Sequence, residues 1–161
     1  MPAPHPEAAA SLVIRAVIPD DAEAVAELSD QLGYPTSAQE TRARIELLAR
    51  DPERLTLAAI LHGQLVGWID SCVERHLQAP DMVNINGLVV RDTVRGARIG
   101  QQLCHAVEQW ALSRNIPAVR VRSQIKREDA HRFYVRDGYR KVKTSFVFEK
   151  TLRGTDPGPH A

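Results

Sequence analysis

Residues 86–100 read NGLVVRDTVRGARIG and contain the transition that decides the fold. The apolar run Leu88-Val89-Val90 is typical of a buried strand, and a helical apolar stripe begins at Ile99 after a short loop. At such a junction the first N–H groups of the helix have no intrahelical partner, and the helix dipole adds positive potential. The stretch therefore predicts a cradle that holds an anion such as a phosphate.

Small and basic residues make this predicted cradle accessible and positive. Gly96, Ala97 and Gly100 let an anion approach the backbone, while Arg95 and Arg98 add charge-assisted contacts. The pattern alone leaves a second interpretation open, namely a capped surface helix that binds nothing.

Outward from the junction, strand-like and helical patterns alternate along the chain. The predicted order is strand, two helices, three strands, helix, strand, helix and two strands, with the last two strands in residues 139–152. His62-Gly63-Gln64 predicts an antiparallel hairpin, and Ser37 with Glu40 predicts a capping box. Helices between the later strands favour some parallel pairing, so the fold is predicted to be α/β (α+β) with a mixed sheet.

Composition places the chain among ordinary globular proteins. It has 161 residues, of which 43% are hydrophobic and 25% charged, and no apolar run is long enough for a membrane span. We expect one domain at 12–152 between disordered tails at 1–11 and 153–161, without a secretory signal and in the cytoplasm. Cys72 and Cys104 form no CxxC, so neither a disulfide nor a metal site is predicted.

The net charge of +1 conceals an asymmetry between the two parts of the chain. Residues 1–90 contain 6 Lys and Arg against 13 Asp and Glu, whereas residues 91–161 contain 15 against 7. An acidic first part suits a cationic substrate and a basic second part suits a polyanion. Two solvated surfaces without partners remain the alternative.

Two segments resemble the GNAT acetyltransferase superfamily. Arg95 and Gly100 match the first and last defining positions of its Gln/Arg-x-x-Gly-x-Gly/Ala signature, and Arg98 replaces the usual middle glycine. Residues 130–139, AHRFYVRDGY, are similar to its Ala-x-x-Phe-Tyr-x-x-x-Gly-Phe/Tyr segment. The resemblance covers nearly the whole of residues 12–152. It implies a mostly antiparallel mixed sheet flanked by helices, with a splayed central strand pair.

The resemblance also implies acetyl-CoA as co-substrate and an amine of a small molecule or peptide as acceptor, acetylated by direct attack on the thioester. It assigns Tyr134 as the proton donor to the departing thiolate. Main-chain groups of the strand would pair with the pantetheine arm, and the loop and helix start would hold the diphosphate. The residues it assigns to the cofactor are Leu88, Val89, Val90, Arg95, Gly96, Ala97, Arg98, Ile99, Gly100 and Gln101.

The acceptor side is less specific. In some family members a glutamate acts as the general base at the position where this chain has Asn84. An asparagine cannot act as a base. On an extended strand Asn84, Asn86 and Leu88 alternate onto one face, so both amides are candidates for positioning a water or the substrate. Asp70 and Glu74 share a face of the preceding strand and are candidates for a remote base or for binding a cationic substrate.

Tyr34 lies in a predicted loop where the family builds its acceptor site, and it is the first candidate for acceptor specificity. An alternative function is a regulatory module that binds acyl-CoA without catalysis, suggested by Asn84 and Arg98. Binding to nucleic acid is expected to be weak and nonspecific. No membrane partner is expected, and a homodimer is left open because dimers are common in the family.

Overall fold

The computed structural model describes residues 11–94 and 97–152. Five strands form one sheet in the order β1-β2-β3-β4-β5, antiparallel throughout except for the parallel β4–β5 pair. A boundary between two compact units falls between Arg122 and Ser123. The strands are β1 (Val13–Ala16), β2 (Arg54–Leu61), β3 (Gln64–Glu74), β4 (Met82–Val90) and β5 (Val119–Val121).

The described residues contain four α-helices, three in the first unit and one in the second. The predicted capping box is confirmed, because Ser37 Oγ accepts from the Glu40 N–H at 3.1 Å while the Glu40 carboxylate accepts from the Ser37 N–H at 3.1 Å. The helices are α1 (Ala22–Gln31), α2 (Ala38–Leu48), α3 (Ile99–Ser113) and α4 (Glu128–Arg136).

The predicted hairpin between β2 and β3 is also confirmed. Its turn residues His62 and Gly63 have φ of 50° and 75°, which suits the two-residue turns that match strand twist. The register then slips by one residue at Val66, because Ile60 pairs with Leu65 whereas Ala59 pairs with Gly67. Everything beyond this bulge in β3 is shifted by one position relative to β2.

Aliphatic side chains fill both faces of the sheet. On one face α1 and α2 pack over β2, β3 and β4, and Leu28 is buried there. On the other face α3 covers the strands with its buried side chains, which follow a spacing of three to four residues. Cys104 lies among them as a buried free thiol. The buried residues of α3 are Ile99, Leu103, Cys104, Val107 and Ala111.

A second bulge interrupts β4 at Asn86, because Ser71 pairs with Ile85 whereas Asp70 pairs with Gly87. The bulge changes which face the following residues occupy. A Cβ on Gly87 would approach the Trp68 ring to 2.8 Å, so position 87 faces Trp68. The expectation that Leu88 shares a face with Asn84 and Asn86 is therefore wrong, since it assumed an unbroken alternation.

The expectation of two strands in residues 139–152 is wrong for this structure, in which residues 140–152 contain no strand. The alternating apolar side chains there are exposed, and Phe148 is 92% exposed. Phe146 and Phe148 contact each other with ring centroids 6.5 Å apart. Strand propensity does not suffice without a neighbouring strand to complete the backbone hydrogen bonds and cover the side chains.

An ion pair fixes the entry to α1. The buried carboxylate of Asp21 accepts from Arg15 at 2.7 and 2.9 Å and from the Ile18 N–H at 2.9 Å. The hydrogen bond from Arg15 outweighs the effect of burial, so the pKa of Asp21 lies below its usual value. Because the folded pKa is lowered, this stabilisation is complete above the unfolded pKa of about 4 and is lost as pH falls through the folded pKa.

We expect Asp21→Asn to lower the free energy of unfolding by about 2 kcal/mol at pH 7 and by much less at pH 2. Urea unfolding at both pH values measures this difference. Asp20→Asn is the matched control, because Asp20 is exposed and pairs with the exposed Arg42. It should cost less than about 0.5 kcal/mol. Equal losses in the two variants would contradict the structural role of Asp21.

Candidate active site

The end of β4 has open main-chain groups. β5 pairs with β4 at Val83–Ile85, and the described strand β5 ends there, whereas β4 continues to Val90. The Arg91 N–H donates to the Val66 carbonyl of β3. The main-chain groups of every second residue at this end of β4, counted from Arg91, therefore point towards β3. The main-chain groups of Leu88 and Val90 consequently face away from β3, towards the open side. This geometry suits an extended ligand that pairs with the strand, as the resemblance implies.

Two side chains of α1 hold the end of β4 in place. Gln31 Nε2 donates to the Val90 carbonyl at 2.9 Å, and its Oε1 accepts from the Asp92 N–H at 3.3 Å. The Arg91 guanidinium donates to Glu27 at 2.7 Å. The sequence analysis missed Gln31 and Glu27, because nothing in an exposed helix position indicates which strand it will reach.

The start of α3 has no side-chain cap at its N-cap residue, Arg98. The N–H groups of its first turn are therefore available to an anion, since the first intrahelical bond runs from the Gln102 N–H to the Arg98 carbonyl. Ala97 is exposed and Gly100 is half-buried. The predicted cradle residues Arg95 and Gly96 lie outside the described residues.

Arg98 has a left-handed backbone conformation, with φ of 58° and ψ of 21°. This conformation costs a residue with a Cβ about 1 kcal/mol, and glycine adopts it freely. The structure thus gives a physical reason for the glycine usual at this position of the signature. The exposed Arg98 side chain leaves the cradle positive.

We expect Arg98→Gly to stabilise the protein by about 1 kcal/mol and to weaken acetyl-CoA binding about five-fold, because strain is relieved and a cation is lost. Thermal unfolding and calorimetric titration measure the two effects. Asn115→Gly is the control, since Asn115 also has a positive φ, of 59°. It should leave the affinity unchanged. Tighter binding by Arg98→Gly would show that the side chain obstructs the cofactor.

A polar network of side chains from β2, β3 and β4 lies on the same sheet face as Trp68, which packs against the core cluster beneath α1 and α2. Arg54 Nη1 contacts both carboxylate oxygens of Asp70, at 2.7 and 2.6 Å, and Thr56 Oγ1 donates to Asp70 at 3.0 Å. Asn86 Nδ2 donates to Asp70 at 3.3 Å, and Asn84 Nδ2 donates to Asn86 Oδ1 at 2.8 Å. The structure therefore brings together three of the predicted acceptor-side residues, Asp70, Asn84 and Asn86.

Asp70 is already paired with a cation. Burial disfavours the charged form of Arg54, but the hydrogen bond and attraction from Asp70 outweigh it, so the pKa of Arg54 is raised. The sequence analysis missed Arg54 and Thr56. Without the bulge at Val66 the hairpin register would place Leu55, not Thr56, opposite Asp70.

The other predicted acceptor-side residues lie apart from this network. Glu74 pairs with Arg122 at 3.2 Å and with His76 at 3.3 Å. Tyr34 is 57% exposed in the connection between α1 and α2. Each remains a candidate for the acceptor site.

Tyr134 lies in α4, in the second unit. Its ring makes edge-to-face contacts with Phe133 and Tyr139, with centroids 5.2 and 5.6 Å apart. The Tyr139 N–H donates to the Tyr134 carbonyl at 2.9 Å. These contacts hold the ring in one orientation, which a tyrosine needs if its hydroxyl is to donate a proton to a particular atom.

A bulged strand with open main-chain groups, followed by an uncapped helix start, suits a ligand that combines an extended arm with an anionic group. The chain belongs to the acetyltransferase (GNAT) family, whose model matches residues 22–139. Acetyl-CoA is the co-substrate of this family. The predicted family and the predicted mixed fold are confirmed.

Individual relatives agree with this assignment. The chain is 36% identical to the aminoalkylphosphonate N-acetyltransferase of Salmonella typhimurium over 103 residues, which cover 63% of this chain and 66% of that protein. The aminoglycoside N-acetyltransferase AAC(6')-Iy, solved in complex with CoA, superimposes with a TM-score of 0.80 at 16% identity, covering 89% and 97% of the two chains. A putative acetyltransferase from Agrobacterium tumefaciens gives 0.76 at 22% identity, covering 86% and 99%. These two structures support the fold.

Helix length bears on the membrane prediction. Within residues 11–94 and 97–152, no helix combines the length and apolarity that crossing a membrane requires. The cytoplasmic location and the homodimer stay predictions.

Proposed function

We propose that this protein transfers the acetyl group of acetyl-CoA to the primary amine of an aminoalkylphosphonate or a closely similar small amine that carries an anionic group. The 36% identity to an aminoalkylphosphonate N-acetyltransferase carries this proposal. The reaction forms a C–N bond to the acetyl carbon and breaks its C–S bond, while the amine loses a proton and the thiolate gains one.

Charges on the sheet face support a small acceptor with an anionic group over a polycationic one. Asp70 is paired with Arg54, and Glu74 is paired with Arg122. A polycation such as an aminoglycoside requires carboxylates that are not already neutralised by arginine. Arg122 is 63% exposed, so its guanidinium is accessible as a partner for a phosphonate.

Each chemical role belongs to a different part of the chain. The main-chain groups of Leu88, the Val90 N–H and the start of α3 bind the co-substrate, while the Val90 carbonyl accepts from Gln31. Asn84 and Asn86 lie on the acceptor side, where their amides orient the amine or a water. Tyr134 donates the proton to the departing thiolate.

An acceptor panel tests the proposal by measuring thiol release. We expect kcat/KM for 2-aminoethylphosphonate to exceed that for ethylamine and for an aminoglycoside by at least about ten-fold, because one charge-assisted contact contributes about that factor. Preference for the aminoglycoside would overturn the proposed acceptor class. Absence of turnover with every amine would overturn acetyl transfer itself and favour a regulatory acyl-CoA-binding module.

Variants locate the contact with the phosphonate. Arg122→Gln should raise KM for 2-aminoethylphosphonate and leave KM for ethylamine unchanged, since only the first carries the anion. Arg75→Gln is the matched control, because Arg75 is exposed and pairs with Glu53 and Asp81. An equal effect of both variants would show that the phosphonate responds to overall charge.

A further inference from the structure

The amides of Asn84 and Asn86 have a defined orientation that the sheet network imposes. An ionised carboxylate only accepts hydrogen bonds, so Asp70 requires the NH2 end of Asn86 to face it. Cys72 Sγ, at 3.4 Å, lies on the same side of the Asn86 amide. The Oδ1 of Asn86 therefore faces Asn84, which must present its own NH2 end in turn.

This orientation leaves one buried acceptor unsatisfied. Asn84 is 2% exposed, and its Oδ1 has no hydrogen-bond partner among the described residues. A buried carbonyl without a partner costs about 1–3 kcal/mol. Turning the Asn84 amide over would bring its oxygen against Asn86 Oδ1, and turning both amides would bring an oxygen against Asp70. The network thus keeps Asn84 in the orientation that leaves its buried Oδ1 without a hydrogen bond.

This orientation holds the Oδ1 of Asn86 in a fixed position as a hydrogen-bond acceptor at the surface of the site. Asn86 is exposed, and its Oδ1 accepts from Asn84 at 2.8 Å and from the Cys72 thiol at 3.9 Å. A thiol is a weak donor and this contact is long, so a closer N–H donor can take the second lone pair. Asn86 is also the bulged residue, immediately before the part of β4 where the main chain is open. An N–H group that donates to this oxygen is held next to that open edge.

We propose that Asn86 Oδ1 accepts a hydrogen bond from the attacking amine, and that Asp70 is a positioning residue that fixes this acceptor by orienting the Asn86 amide. The inference rests on the proposed function, since it assigns the amine of the same reaction. Arg54 pairs with Asp70 at 2.6 Å, and Asn84 holds Asn86 from the buried side. With one N–H directed to Asn86, the nitrogen lone pair has a defined direction for attack.

Asn84→Leu separates this role from a structural one. Leucine fills a similar volume and removes the unpaired carbonyl, so the melting temperature should be equal or higher. The kcat/KM for the amine should nevertheless fall about ten-fold, because Asn86 loses the partner that holds it. KM for acetyl-CoA should change less than two-fold. A lower melting temperature together with unchanged kcat/KM would mean that the network serves stability, and it would overturn the proposal.

Asp70→Asn tests the orientation directly. An amide at position 70 can donate, so Asn86 is free to turn its oxygen away from the amine. We expect a ten-fold loss in kcat/KM for the amine and altered side-chain amide signals of Asn84 and Asn86 in nitrogen-resolved NMR spectra. Asp70→Glu, which keeps an acceptor-only carboxylate, should restore most of the activity. Asp81→Asn is the control outside the network, because Asp81 pairs with the exposed Arg75.

The two hypotheses fail in different ways. If the unaltered protein acetylates no amine, the proposed function fails and this inference fails with it. If the unaltered protein acetylates amines, and the Asp70→Asn variant has the same kcat/KM and the same amide signals as the unaltered protein, this inference alone is wrong.

Discussion

Replacement of Tyr134 by phenylalanine is expected to lower kcat about 100-fold, because the departing thiolate loses its proton donor. KM for acetyl-CoA should remain within two-fold, since the ring and its edge-to-face contacts with Phe133 and Tyr139 are retained. Steady-state kinetics with saturating amine measure both constants. The folded state should be preserved, which thermal unfolding checks.

The pH profile provides a more specific signature of this role. A tyrosine that acts as a general acid must be protonated, so kcat should fall at alkaline pH, where the phenol loses its proton. The Tyr134→Phe variant should lack that alkaline decline. Tyr139→Phe makes the same chemical change in the same aromatic cluster and should retain both rate and profile. If the two variants behave alike, Tyr134 is a packing residue.

Gln101→Glu should weaken acetyl-CoA binding about ten-fold and at the same time stabilise the free protein. Gln101 is the exposed third residue of α3, where a negative charge interacts favourably with the helix dipole by about 0.3–1 kcal/mol. The same charge repels a diphosphate held at the start of that helix. Weaker acetyl-CoA binding together with higher stability indicates a diphosphate site at the helix start, because damage to the fold would lower both. Calorimetric titration and urea unfolding measure them.

Gln109→Glu is the matched control, because Gln109 is exposed on the same helix but lies eight residues further along, about 12 Å along the axis. It should leave the affinity unchanged and destabilise the helix slightly, since its charge then lies near the negative end of the dipole. Equal loss of affinity in both variants would place the diphosphate elsewhere.

The local elements could be predicted from the sequence because their signals are local. The hairpin turn and the capping box were each identified from two or three nearby residues. The family was identified in the same way, since its motifs are contiguous. Tyr134 and the cradle residues entered through that resemblance, and their roles stay predictions.

The acceptor-side network could not be predicted in full, because it depends on two bulges. Val66 shifts β2 against β3, which places Thr56 opposite Asp70 and brings Arg54 within reach. Asn86 shifts β4 against β3, which sends Leu88 to the other face. A one-residue slip reverses every following side chain. An isolated glycine follows each bulged residue, at Gly67 and Gly87, and is the one local signal of a bulge, but it does not fix the register.

Propensity, periodicity and contiguous motifs act over a few residues, so the sequence alone is enough for the order of helices and strands up to α4, for the capping box and the hairpin turn, and for the family. Only the tertiary structure decided the strand registers, the pairing of Asp70 with Arg54 and the absence of strands in residues 140–152. These features depend on which distant segments meet, and their free energies come from pairing and burial that a short segment cannot supply alone.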